Sequence, residues 1–310
     1  MKDYPFPLQP MTFSNFIENA LKIYRKNWKK IIPVSLAVTG SFMFIMQIVI
    51  NLQILPLLDK ITQEATLITD FNDYITRFMG SRISESLIWL FASVFLLSLL
   101  SSLIITPFII GYVSRVASVY FHGDEPDVKT ISLISAKGIG RLILTMLAGT
   151  VISFGIVSVF TGAIFLSVIA TMTLTPFFGV LVFFVALLMI LVIVATSLIM
   201  AFSYQITIHE RTCGFPAIAR SFRMISRKFW FSLGLVLATG LIISVISSSI
   251  TGFTGMFTFL SPFFSVISAL ITAVVYGIMV PFGYIVYALL YIDLKIEHEN
   301  YYVDLMMDEK

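Results

Sequence analysis

The sequence predicts an all-α, polytopic membrane protein: six transmembrane helices in three hairpins, each preceded by a basic amphipathic interfacial helix. Three observations predict it. Residues 142–208 and 229–292, 67 and 64 positions long, carry no Asp, Glu, Lys or Arg. A soluble helix keeps a polar face and a buried strand ends after a few residues, so neither accounts for such lengths. Charged residues are 12% of the chain, against about 25% in soluble proteins. Finally, the basic residues cluster in short segments between the apolar stretches.

The elements follow in order. Residues 12–30 form the first interfacial helix, with Phe13, Phe16, Ile17, Ala20, Leu21, Tyr24 and Trp28 on one face and most of Lys22, Arg25, Lys26, Lys29 and Lys30 on the other. Such a helix is expected to lie in the headgroup layer, aromatic face toward lipid. Its basic character, with no small-residue cleavage site after a short apolar run, argues against a signal peptide. A span needs about 20 apolar residues, and 31–58 supplies the first. Residues 59–86 form a mildly acidic external loop; the spacing of Ile61, Leu67, Ile68, Phe71, Ile75 and Phe78 fits a helix on the membrane surface, and a solvated connector fits equally.

The second span is 87–113, with Pro107 as a kink, followed by a cytoplasmic segment at 114–141. The two long uncharged stretches each divide once. Hydroxyls and Pro176 break the first into spans 142–170 and 178–206, and the Thr251–Gly255 run with Pro262 breaks the second into 229–250 and 264–291. Gly138, Gly140, Gly252 and Gly255 are read as turn glycines. Between these hairpins lies a cytoplasmic basic helix, 207–228, and after them an acidic cytoplasmic tail, 293–310.

With six spans and the N-terminus inside, 17 of the 20 Lys and Arg face the cytoplasm, leaving Lys60, Arg77 and Arg82 outside. That asymmetry sets the orientation, with both termini cytoplasmic. The segment Ile23-Tyr24-Arg25-Lys26-Asn27-Trp28 before the first span recurs as Ile225-Ser226-Arg227-Lys228-Phe229-Trp230 before the fifth, both reading I-x-R-K-x-W. Residues 131–141, with Ala136, Lys137 and Arg141, are a weaker version before the third.

Chemistry is sparse. One cysteine, Cys213, excludes an internal disulfide, and His122, His209 and His298 lie too far apart in sequence for an obvious metal site. Asp124, Glu125 and Asp127 around Gly123 and Pro126 read as a solvated turn, with a divalent-ion site as the weaker alternative. No G-x-S-x-G, H-E-x-x-H or P-loop pattern occurs. Carboxylate-coupled transporters carry ionisable groups at depth, and the spans here have none beyond their margins. No cofactor and no catalytic residue are expected. The candidate lipid- or partner-binding residues are Arg25, Lys26, Trp28, Arg220, Arg223, Arg227, Lys228 and Trp230, with anionic headgroups or a membrane-protein partner as the ligand and no nucleic acid.

Three blocks carry a family resemblance. They are Thr207-Ile208-His209-Glu210-Arg211 with Ala217-Ile218-Ala219-Arg220-Ser221-Phe222, then Leu289-Leu290-Tyr291-Ile292-Asp293-Leu294-Lys295, and Phe13-Ser14 through Ile17, Ala20-Leu21 and Ile23–Asn27. Together they resemble the membrane domain that precedes the catalytic domain in some bacterial glycerophosphodiester phosphodiesterases, a domain that also occurs alone. The resemblance implies a bacterial cell membrane protein of about six helices and marks Glu210, Ser221, Tyr291 and Asp293 as motif positions of unknown role. It does not imply the phosphodiesterase reaction, which in that family belongs to a soluble barrel. The expected function is non-enzymatic, at the cytoplasmic lipid interface, in an accessory, regulatory or envelope-homeostasis role. The alternatives are a component of lipid or hydrophobic-peptide transport, export or self-immunity, or an interfacial lipid enzyme using Glu210 or Asp293.

Overall fold

The computed structural model describes residues 11–65, 82–173, 178–257 and 261–299, and among them every regular element is helical. In order these are α1 (Phe13–Ser35), a π segment (Leu36–Gly40), α2 (Ser41–Ala65), α3 (Arg82–Leu100), a second π segment (Ser101–Ile105), α4 (Thr106–Phe121), α5 (Val128–Thr173), α6 (Phe178–His209), α7 (Phe215–Ile225), a 3-10 turn (Ser226–Lys228), α8 (Phe229–Met256) and α9 (Pro262–Glu299). Six helical stretches among the described residues are long and apolar enough to cross a membrane. Most of the external loop, the Leu174–Pro176 part of the first break and most of the acidic tail lie outside the described residues.

The helices outrun the spans. In lipid no water receives a freed backbone N–H or C=O, so a helix continues until polar surroundings allow it to stop. The first interfacial helix is therefore no separate element: α1 runs on through the π segment into α2. The basic residues before the third span likewise belong to α5, whose 46 residues extend about 69 Å, twice the ~30 Å hydrocarbon core. The 114–141 segment is thus the end of α4, a short turn and the start of α5. Gly138 and Gly140 lie inside α5, and Gly252 and Gly255 inside α8, so none of the four is a turn glycine. Pro107 frees the carbonyl four residues back, at Leu103, and there the hydrogen-bond ladder slips to π spacing.

The chain divides into two compact units. Unit 1 takes in Met1–Lys26, Ile110–Gly240 and Tyr284–Lys310; unit 2 takes in Asn27–Ile109 and Leu241–Gly283. Unit 2 pairs α2 with α3 and holds α9 tightly against the first π segment. A Cβ at Gly277 would meet Leu36 Cδ2 at 2.5 Å and Leu36 Cα at 3.3 Å, and one at Gly40 would meet the Ala273 carbonyl oxygen at 3.2 Å. Helices in lipid gain no hydrophobic attraction over their solvent, and close backbone approach at small residues replaces it. An amide ladder adds to this: Gln47 donates to Asn51 at 3.1 Å and Asn51 to the Ser265 hydroxyl at 2.8 Å.

Unit 1 holds the interior of the basic segments; unit 2 contains only Lys29, Lys30, Lys60, Arg77 and Arg82 of the chain's cations. Its packing is that of a soluble helical bundle. Phe16, Ala20 and Ile23 on α1, Val116 and Ala117 on α4, Phe202 and Ile206 on α6, and Ile285, Leu289 and Leu290 on α9 are fully enclosed. The apolar face of α1 is accordingly divided: Phe16, its ring 5.8 Å from that of Phe231 on α8, and Ala20 are core residues, whereas Phe13, Leu21 and Trp28 stay exposed. By contrast Phe154 and Phe165 in the second half of α5 and Phe183 and Phe184 in the first turns of α6 are exposed, as lipid-facing residues are.

Candidate functional site

The polar centre of unit 1 forms where α6 ends and α7 turns back along it. Two residues in that turn have positive φ, Arg211 at 61° and Gly214 at 69°, which lets five residues reverse the chain. Thr145 on α5 pins it: its hydroxyl accepts the Gly214 N–H at 3.0 Å and shares a hydrogen bond with Thr207 at 2.9 Å. Ser221 on α7 then donates to the Ile199 carbonyl on α6 at 2.7 Å. Ile199 is ten residues before the end of α6, about 15 Å along it, so α7 runs back beside the bundle. Pro216 starts α7, and Ala217, Ile218, Ser221, Met224 and Ile225 are its buried side.

This turn brings two of the motif positions, Glu210 and Tyr291, together with Arg220 and His209. Glu210 sits just past α6 and forms an ion pair with Arg220, whose Nη2 donates to Glu210 Oε1 at 2.9 Å. The Tyr291 hydroxyl on α9 donates to the same oxygen at 2.9 Å, and the Tyr291 ring stacks on His209 with centroids 5.1 Å apart and planes 10° from parallel. One carboxylate thus ties the α6–α7 turn to α9.

Asp293, two residues on, does the same for α1. It is 2% exposed, accepts the Met11 backbone N–H at 2.9 Å and lies 4.0 Å from the Lys228 ammonium. Lys228 also pairs with Glu297 and lies over the Phe231 ring. Glu210, Ser221, Tyr291 and Asp293 therefore share one physical role, clamping segments distant in sequence. The two carboxylates considered for acid–base work are both engaged in these clamps.

The structure separates the cations that the sequence had grouped. Arg220 and Lys228 are ion-paired. Arg223 and Arg227 are exposed, and among the described residues neither side chain has a carboxylate partner. Arg25 and Lys26 are exposed beside Leu21 and Lys22 along one side of α1. Trp28 and Trp230, equivalent in the repeated motif, are 50% and 80% exposed, while their partners Ile23 and Ile225 are buried. The repeat keeps its pattern of buried Ile and exposed Trp, although it is a continuous helix in α1 and a helix–3-10–helix junction at α7–α8.

Other contributors carried either no sequence signal, as Arg115, or one read differently, as Gly138 and Asp127. Arg115 on α4 donates to the Ser135 hydroxyl on α5 at 2.8 Å, and its guanidinium occupies the space over Gly111 and Gly138. A Cβ at Gly138 would meet Arg115 Nη2 at 3.1 Å, so that glycine makes room for an arginine. Asp127 caps α5, accepting from the Lys129 and Thr130 backbone N–H groups at 3.3 and 3.1 Å. The Thr130 hydroxyl first, then its N–H, hold the Asp127 carboxyl below its ordinary range. Among the described residues no group of three His, Cys, Asp or Glu side chains is placed to hold a metal ion.

Residues 1–307 match a family model described as a domain of unknown function, DUF8558. No curated protein and no solved structure matches the chain.

Proposed function

The chain belongs to the DUF8558 family, whose function is itself unknown, and from that premise we propose a non-enzymatic integral membrane protein that works at the cytoplasmic lipid interface of a bacterial cell membrane, in an accessory, regulatory or envelope-homeostasis role. One observation carries the reading. The polar groups of unit 1 divide into clamps, with Glu210 and Asp293 engaged by Arg220, Tyr291, Met11 and Lys228, and into exposed cations beside exposed aromatics, Arg223, Arg227 and Trp230. Carboxylates held in clamps favour a structural use over turnover. Exposed Arg next to Trp at the end of a span is the chemistry of an anionic headgroup layer.

Orientation has a native reporter. Cys213 is the sole cysteine, partly exposed in the α6–α7 turn. A membrane-impermeant maleimide is expected to label it in inverted vesicles and not in intact cells; the reverse pattern overturns the cytoplasmic assignment. For the interface itself, stability of the purified protein is expected to rise when anionic lipid is added to zwitterionic micelles, and to lose that gain with salt. No anionic-lipid effect at low salt removes the reading.

A second reading, a component of lipid or hydrophobic-peptide transport, export or self-immunity, is favoured by one feature of unit 2. A cavity of about 560 Å³ lies among α2, α8 and α9, with Gln47, Ser248, Thr251, Ser268, Thr272 and Tyr276 in its lining. In a Cys213→Ser background, Thr272→Cys is expected to react with a small water-soluble thiol reagent if the cavity is hydrated. A thiol inert to that reagent counts against transport.

A further inference from the structure

α7 does more than turn the chain. Where it lies against α5 and α6 it leaves a groove of about 590 Å³, within the range of small-molecule sites. Ile152, Ile156, Ile199 and Met200 form its floor, and Phe215 and Phe222, each 59% exposed, stand at its sides. Two polar side chains reach it. Thr196 is satisfied internally, donating to the Val192 carbonyl at 2.7 Å. The other is Arg223, exposed and without a carboxylate partner among the described residues, with Arg227 one turn further along the chain.

An apolar groove in a bilayer gains nothing by holding an acyl chain, because bulk lipid tails are as apolar as its lining. Selection has to come from the charged end. A guanidinium takes phosphate oxygens bidentately and is weakly hydrated, which suits it to a phosphodiester at the edge of an apolar surface. The neighbouring arginine, Arg220, is already neutralised by Glu210, so the net positive charge of this face is concentrated at Arg223 and Arg227.

We propose that the groove between α5, α6 and α7 is a binding site for one anionic phospholipid, an acyl chain between Phe215 and Phe222 and the phosphate on Arg223. The inference rests on the lipid-interface reading and sharpens it from a charged surface to a single site. It also assigns different roles to three arginines alike in sequence: Arg220 holds α7 in place, Arg223 binds the headgroup directly, and Arg227 adds field.

The test uses the full chain in zwitterionic nanodiscs, titrated with phosphatidylglycerol and read by native mass spectrometry for bound lipid, with thermal unfolding in lipid-free micelles as a fold control. Arg223→Gln is expected to weaken the one-lipid state roughly five-fold, the effect of one cation at an anionic surface. Ala219→Trp, at an exposed groove position one helical turn before Arg223, fills the space while keeping the arginine and is expected to weaken it at least as much. Wild-type binding in both variants overturns the proposal. So does loss with Arg223→Gln but not Ala219→Trp, which leaves a general charged interface standing. Competition by inorganic phosphate or by the tail-less glycerol phosphodiester headgroup at the lipid's own concentration also overturns it, since the groove would then contribute nothing. If wild type binds no phosphatidylglycerol, both the site and the broader lipid-interface reading fail.

Discussion

Replacing Glu210 isolates the clamp at the centre of unit 1. Its side chain is 13% exposed and that of Arg220 35% exposed, so the pair falls between two regimes. Exposed pairs contribute about 0–1 kcal/mol, and breaking a buried one costs about 3–5 kcal/mol. The partial exposure of Arg220 lets water take over some of its charge, which places Glu210→Gln near 2 kcal/mol. The amide oxygen of Gln still accepts from Tyr291. Glu210→Ala removes that acceptor too, and a hydroxyl left without its partner adds about 1 kcal/mol. A cycle of Glu210→Gln, Arg220→Gln and the double variant should show a coupling of about 1 kcal/mol, because the double variant leaves no lone charge. The assay is thermal unfolding in one fixed detergent at one scan rate, followed by tryptophan fluorescence. Unfolding of such a chain is read as a relative rate when it is irreversible. Additivity within about 0.3 kcal/mol would refute the argument, since the two side chains would then be acting independently.

Other perturbations follow from the same geometry. Thr145→Val keeps the shape but removes the acceptor of the Gly214 N–H, at a cost of about 1–3 kcal/mol, and proteolysis at the α6–α7 turn should accelerate; an unchanged cleavage rate would show the turn is held elsewhere. Gly277→Ala drives a Cβ against Leu36, backbone included, and should cost about 1–3 kcal/mol, whereas Gly155→Ala, which meets nothing within 4 Å, should be neutral or better. Equal melting shifts for the two alanines would contradict the close approach. At Asp127 the folded carboxyl titrates below its ordinary 3.8, so its cap is fully present above that value and is lost as pH falls through the lower folded value. Exchange protection of the Thr130 amide, corrected for the intrinsic rate, should stay level from neutral pH and decline only in that acid window. Asp127→Asn should abolish the decline, and protection independent of pH in the wild type would contradict the cap.

Each span expected from hydropathy falls inside a continuous helical stretch, and most of those stretches run well past the expected ends, for a physical reason. Hydropathy marks where lipid begins, but a helix does not stop there. The charges of Lys137 and Arg141 end the apolar run while the backbone of α5 continues through them. Likewise Gly252 and Gly255 look like a break in a soluble context and are ordinary helix residues where freed backbone groups would find no water. Of the site, the residue types were visible but their pairing was not. Glu210 meets Arg220 only because positive φ at Arg211 and Gly214 reverses the chain, and Tyr291 reaches it from 81 positions away. The periodicity places Phe16 and Ala20 on one face of α1 with Phe13, Leu21 and Trp28, but it does not distinguish the part turned to protein from the part left exposed, and it leaves out the buried Ile23.

The hydrogen bond from the Met11 amide to Asp293 joins residues 282 positions apart. Synthesis at about 5–20 residues per second puts roughly 15–55 s between the appearance of the two. Through that interval α1 exists without α9, and the buried face of Phe16, Ala20 and Ile23 has no finished core to enter. A basic helix with one apolar face has a holding place available, the headgroup layer beside its own span. The amphipathic pattern of α1 would then suit two successive environments, lipid while the chain is being made and protein once α9 arrives. Unit 1 cannot be completed before residues 284–299 of α9 have been made.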